Sequence, residues 1–84
     1  MIAVYVIKSE ANYRFYVGMS DNVEWRLEEH NKGKTKSTKG YLPWKIVLIE
    51  YFLDRTEARK REIYLKSGVG KEYIKKYWTG SSVG

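Results

Sequence analysis

Tyr16-Val17-Gly18-Met19-Ser20-Asp21-Asn22-Val23-Glu24-Trp25-Arg26-Leu27-Glu28-Glu29-His30 changes character halfway along. It begins as the end of a β-strand, passes a glycine, and starts a helix. Asp21 followed three residues later by Glu24 has the form of a capping box. At about 100° per residue, Val23, Arg26, Leu27 and His30 fall within about 100° of arc, while Trp25 points away. A guanidinium and an imidazole one turn apart, set among positions that should face inward, are out of place on a purely structural helix.

Working outward toward the N-terminus, residues 2–8 carry apolar side chains on both faces: Ile2, Val4 and Val6 on one, Ala3, Tyr5 and Ile7 on the other. A strand apolar on both sides belongs in the middle of a sheet covered from both directions. Ser9 to Asn12 reads as a turn and Tyr13 to Gly18 as the second strand of a hairpin. A four-residue loop would pair Lys8 with Tyr13 and set Tyr5 opposite Tyr16. Two phenols side by side serve as cross-strand packing as readily as a reaction site.

Toward the C-terminus, the first helix should run from about Asn22 to His30 or Asn31. Residues 32–40 hold four lysines, two glycines and no apolar side chain, the composition of a flexible cationic loop or a solvated linker. Pro43 introduces a third strand, Trp44 to Phe52, with Ile46 and Leu48 on one face and Val47, Ile49 and Tyr51 on the other. Asp54-Arg55-Thr56-Glu57 is a second capping box and opens a helix from Arg55 to Lys66, which Ser67-Gly68 should stop with a left-handed glycine. Ala58, Arg61, Glu62 and Leu65 share its inward arc, so Glu62 is either a site carboxylate or half of a buried pair with Arg61 or Arg26. A short helix over 71–78 would pack through Tyr73, Ile74, Tyr77 and Trp78, leaving a disordered tail at 79–84. The order β-β-α-β-α-α gives an α/β chain of the α+β type: one domain over 1–78, with a small three-stranded antiparallel or mixed sheet flanked by about three helices.

The chain has 84 residues, room for one hydrophobic core, and no cysteine for disulfides or thiolate metal sites. It has no apolar run of membrane-spanning length and no signal-peptide layout, so the expectation is a cytoplasmic protein with no membrane association. Sixteen basic against ten acidic residues leave a net charge of +6, which favours an anionic partner, nucleic acid above all.

Taken together, these residues resemble the GIY-YIG nuclease superfamily, closest to its small stand-alone members, over nearly all of the chain from Ile2 to Trp78. The naming motif stands here as Ala3-Val4-Tyr5 and Tyr16-Val17-Gly18, its tyrosines eleven residues apart. Arg26 and His30 match the arginine and histidine of the family's first helix. Glu62, within Arg61-Glu62-Ile63-Tyr64-Leu65, matches its metal-binding glutamate. Glu29-His30-Asn31, Pro43-Trp44-Lys45 and Lys66-Ser67-Gly68 strengthen the likeness. Ala3 replaces the motif's first glycine, and Tyr77 lies near the place where some members carry an asparagine.

The resemblance implies a metal-dependent endonuclease hydrolysing phosphodiester bonds in DNA, in the repair or processing of branched, damaged or single-stranded substrates. A separate protein partner would contribute target choice. Glu62 would hold one Mg²⁺ or Mn²⁺. Tyr5 and Tyr16 would divide the tasks of general base and positioning group, in either order. Arg26 would stabilise the transition-state charge, and His30 would hold phosphate or orient a tyrosine. All of these should converge on one concave cationic face. Lys32, Lys34, Lys36, Lys39 and Lys45 would bind the backbone of the nucleic acid. The competing readings are a non-catalytic nucleic-acid-binding module of the same fold and a protein-interaction domain with an acidic partner.

Overall fold

The computed structural model describes residues 1–11, 14–36 and 38–76. Three strands, β1 (Ile2–Ser9), β2 (Phe15–Ser20) and β3 (Trp44–Phe52), form one sheet in the order β2-β1-β3, antiparallel throughout. Three helices follow the expected order: α1 (Val23–Asn31), α2 (Arg55–Lys66) and α3 (Gly68–Lys75). The two-faced apolar pattern of the first strand is explained by its central position, where Ala3 to Ile7 are all buried. Val4, Val6 and Val17 pack with Ala58 and Leu65 of α2 and Ile74 of α3. Ala3, Tyr5 and Ile7 pack on the other face with Val23 of α1 and with Trp44. Each fully buried aliphatic side chain contributes about 1.5–3 kcal/mol, so a sheet covered from both sides is the arrangement in which every β1 residue adds to stability.

The hairpin register differs from the expected one. Lys8 pairs with Phe15, Ile7 with Tyr16, and Tyr5 with Gly18, so the tyrosines are diagonal neighbours. The shift is two residues, and an even shift leaves both phenols on one face. Its cause lies on either side of the hairpin. β1 continues along β3 as far as Ser9, whose hydroxyl donates to the Tyr41 carbonyl at 2.7 Å, so the turn comes one residue later and is closed by the Ser9 amide donating to the Arg14 carbonyl at 2.9 Å. Opposite Tyr5 only glycine fits, because a Cβ on Gly18 would lie 2.6 Å from the Tyr5 hydroxyl oxygen.

A bulge interrupts the pairing of β1 with β3: Val6 faces Leu48 while Ile7 faces Ile46. Ile46 and Ile49 therefore join the Tyr5 face, and Val47 and Leu48 join the Val4 face, which corrects the simple alternation expected of this strand.

Asn22, rather than Asp21, caps α1, its Oδ1 accepting from the Trp25 amide at 3.0 Å. For α2 the expected cap and boundaries hold, with Asp54 accepting from the Glu57 amide at 2.9 Å. No left-handed glycine separates α2 from α3. Ser67 ends one helix and caps the next, accepting from the Gly70 amide at 3.2 Å, so α3 begins at Gly68 and not at 71. Gly70 permits this tight joint, since a Cβ there would collide with the Tyr64 carbonyl oxygen. The expectations for Tyr77, Trp78 and the 79–84 tail lie outside the described residues.

The lysine-rich segment is not a free loop over its described length. Its end folds into a single 3-10 turn at Lys39–Tyr41, with Thr38 buried just before it. Trp44 anchors both flanks. Its amide donates to Asn31 Oδ1 at 2.6 Å, and its indole N–H donates to the Thr38 carbonyl at 2.9 Å.

Candidate active site

Tyr5 is the fixed point of the site. It sits on the central strand, 1% exposed, with its phenol lying across Gly18 toward the β2 edge. Its oxygen is 3.0 Å from His30 Nε2, and the nearby Arg26 side chain favours its charged form. Burial pushes its pKa up to about 12, against the opposing effect of Arg26, with the Tyr16 and Glu62 charges adding to the rise. The phenol is thus neutral at physiological pH and shows a polar, partnered end in an otherwise apolar layer.

Arg26 and His30 come from the inward arc of α1, as their spacing predicted. His30 is fully buried. Burial lowers its pKa to about 4, helped by the positive charge of Arg26, so the imidazole is neutral. Its Nδ1 is 2.8 Å from the Thr38 hydroxyl, which in turn donates to the Thr35 carbonyl at 3.3 Å. The Tyr16 ring packs 5.0 Å from the His30 ring and 6.4 Å from that of Tyr5, centroid to centroid. These four site residues share one face.

Glu62 arrives from elsewhere. α2 belongs to the opposite layer, packed on Val4 and Val17. Arg55, Thr56, Arg59 and Lys60 share a groove with Met19, while Leu65 and Lys66 share another with Phe15, Tyr16 and Val17. The helix therefore runs alongside β2, the edge strand, in the reverse direction. On α2 Glu62 lies between the residues of the two grooves, and its charge adds to the rise of the Tyr5 pKa. The expectation of one concave face thus needs correction: the helix that carries Glu62 packs on the face of the sheet opposite Tyr5.

Glu62 is 7% exposed. Neither Arg61 nor Arg26 pairs with it. Arg61 binds Glu50 through two bonds of 2.6 and 3.0 Å. The partners of Glu62 are Arg59 at 3.1 Å and Lys66 at 3.3 Å, one to each carboxylate oxygen and both more than half exposed. Among the described residues no group of three or more His, Cys, Asp or Glu could enclose a metal ion. One carboxylate whose cationic partners can swing into solvent still fits Mg²⁺, which keeps most of its waters and takes few protein ligands.

Of the expected backbone-binding lysines, Lys32, Lys34, Lys36 and Lys39 are exposed around the turn that backs His30. Lys45 stands apart on β3, the far edge of the sheet, 3.9 Å from the Glu10 carboxylate. Reading the sequence missed Thr38, hidden in a uniformly polar run, and Lys66 and Lys71, which line the groove beside Tyr16. The helical position of Lys66, one turn after Glu62, was the available signal.

The GIY-YIG catalytic domain family matches residues 1–78, and the chain belongs to it. Among similar proteins is a UPF0213 protein of Clostridium perfringens, 39% identical over 64 residues that make up 75% of this chain and 68% of that one. Another, from Staphylococcus haemolyticus, is 37% identical over 86% of this chain and 88% of its own. The solution NMR structure of a UPF0213 protein from Bacillus halodurans is 29% identical, covers 88% of this chain and 82% of its own, and superposes with a TM-score of 0.54. Family membership supports a nuclease-type function. Among the described residues no helix is long and apolar enough to cross a membrane.

Proposed function

We propose that this chain is a divalent-metal-dependent endonuclease hydrolysing phosphodiester bonds in DNA, acting in the cytoplasm on structured or damaged DNA with a protein partner contributing target choice. The observation that carries the reading is the buried Tyr5 hydroxyl, 3.0 Å from His30 Nε2 and acted on by the charges of Arg26 and Glu62.

Arg26 adds a fork of donors for the two non-bridging oxygens that gain charge as the phosphorus becomes five-coordinate. Tyr5 takes a proton from the attacking water as it passes its own to neutral His30. This exchange never leaves a free phenolate, so the high phenol pKa is no bar to the role. Tyr16, which shares the face but not the His30 hydrogen bond, positions water or phosphate. Glu62 would hold Mg²⁺ or Mn²⁺, which supplies charge neutralisation at the phosphate and leaving oxygen when bound. The lysines around the His30 turn, with Lys66 and Lys71, attract the backbone without reading its sequence.

The test is a cleavage panel of duplex, single-stranded, flap, junction and RNA substrates, with and without Mg²⁺ or Mn²⁺, run with the parent and Glu62→Gln. Metal-dependent cutting by the parent alone is expected. Salt-sensitive binding with no cutting of any substrate would leave the fold as a binding module, and no binding at all would remove nucleic acid as the partner.

A further inference from the structure

The Thr35–Thr38 turn has a second role that its lysines conceal. A backbone carbonyl can only accept, so the Thr38 hydroxyl, bonded to the Thr35 carbonyl, spends its single proton there. Its oxygen, 2.8 Å from His30 Nδ1, must then accept from that nitrogen. A neutral imidazole carries one N–H. With Nδ1 protonated, Nε2 is a bare acceptor, and the only direction left for the 3.0 Å contact is donation from the Tyr5 hydroxyl. With the Thr38 proton on the Thr35 carbonyl, the chain of bonds has one orientation, set by the carbonyl at its far end.

We propose that Thr38 is a positioning residue for the reaction: by fixing the Nδ1–H tautomer of His30, it keeps Nε2 open to take the Tyr5 proton. The inference rests on the nuclease reading above. When the attacking water gives a proton to Tyr5, the Tyr5 O–H bond breaks and an N–H bond forms at Nε2. The resulting imidazolium keeps its Nδ1–H on Thr38, and after product leaves it returns the extra proton to solvent. In the other tautomer Nε2 already bears hydrogen, points it at the phenol oxygen, and has no lone pair for a proton. The groups facing the imidazole are Arg26 on its own helix, Tyr5 from β1, Tyr16 from β2 and Thr38 from the turn. Of these only Thr38 touches Nδ1 among the contacts of the described residues, and it is 1% exposed, so water does not compete for the position.

The chain has a single histidine, which makes the tautomer directly readable. ¹⁵N-imidazole NMR of the parent should show Nδ1 protonated and Nε2 bare at neutral pH. Thr38→Ser, which retains the hydroxyl, should keep that state, while Thr38→Val should lose it. In single-turnover and steady-state cleavage, Thr38→Val should lower kcat by about 10–100-fold with KM nearly unchanged, the size of effect typical when the partner orienting a functional histidine is removed. Thr38→Ser should restore most of the rate. A parent imidazole protonated on Nε2 overturns the proposal whether or not the protein cuts DNA. A Thr38→Val protein that has switched tautomer yet cleaves at the parent rate overturns it too. If Thr38→Val does not fold, the parent spectrum and Thr38→Ser still decide: a serine variant with the parent tautomer but a collapsed rate contradicts the assignment. Absence of cleavage by the parent on every substrate sinks the nuclease reading and with it the catalytic role of Thr38, whereas the NMR spectrum decides the tautomer independently of cleavage.

Discussion

The α1 side of the site and the α2 side are built to different standards. On the α1 side Tyr5, His30 and Thr38 are each at most 1% exposed and joined in series by hydrogen bonds, ending on a backbone carbonyl. On the α2 side Glu62 is held by Arg59 and Lys66, flexible side chains of its own helix with most of their length in water. The first arrangement holds its donors and acceptors in fixed positions, with the buried imidazole neutral at rest. The second can exchange its cations for an incoming metal ion, because both partners are more than half exposed and can swing into water. A site that must handle both a proton and a hydrated metal has reason to be rigid on one side and yielding on the other.

Glu62→Gln probes the yielding side and should have the largest effect on activity. Losing the charge that holds the metal should lower turnover by about 10³-fold, or about 4 kcal/mol of transition-state stabilisation. Its melting temperature should barely move, since the cations left behind are solvated. A variant that melts much earlier but cuts at the parent rate while folded would make Glu62 a structural residue.

The rigid side should show itself in acid. The His30 imidazole has its pKa lowered from the ordinary 6.5 to about 4 by burial, so between those values the unfolded chain binds a proton that the folded one refuses. Stability should therefore fall as pH drops through this window, by about 3 kcal/mol in all, and change no further on this account below it. Denaturant unfolding across the range, beside the NMR titration of the one imidazole, checks this. An imidazole that titrates near 6.5 in the folded protein would contradict it.

Gly18→Ala separates the two sides by steric means. The new Cβ would lie 2.6 Å from the Tyr5 oxygen and 2.7 Å from Cζ, so the phenol must leave its place beside His30. A loss of about 1–3 kcal/mol in stability is expected, with a clear drop in activity. Gly68→Ala, where an added Cβ meets nothing within 4 Å, should be neutral or slightly stabilising. Equal melting temperatures for the two variants would mean that the phenol is not confined.

Much of this was legible in the residues. The bounds of β3 and α2 followed from Pro43 and the Asp54-to-Glu57 cap, because local turn and cap chemistry decides them. The pairing of Arg26 with His30 followed from helical spacing. What escaped depended on contacts between distant segments. Asp21 and Asn22 are adjacent and equally able to cap α1. The hairpin register was set by Ser9 binding Tyr41 and by the room above Gly18, neither of which leaves a periodic trace. Helical arcs showed that Glu62 faces inward, but not that its helix packs on the layer opposite Tyr5. Thr38 looked like one more polar residue in a lysine-rich run, since only the fold places it against His30.

The central claim, that the Tyr5 hydroxyl is the point where proton and phosphate chemistry meet, is tested most directly by single-turnover cleavage with Tyr5→Phe beside Tyr16→Phe. Removing one oxygen from the buried ring leaves His30 Nε2 without its donor, which should cost about 1 kcal/mol in stability. The cleavage rate of Tyr5→Phe should fall by about 10³-fold, and that of Tyr16→Phe by less. A folded Tyr5→Phe protein that cuts DNA as fast as the parent would contradict the account.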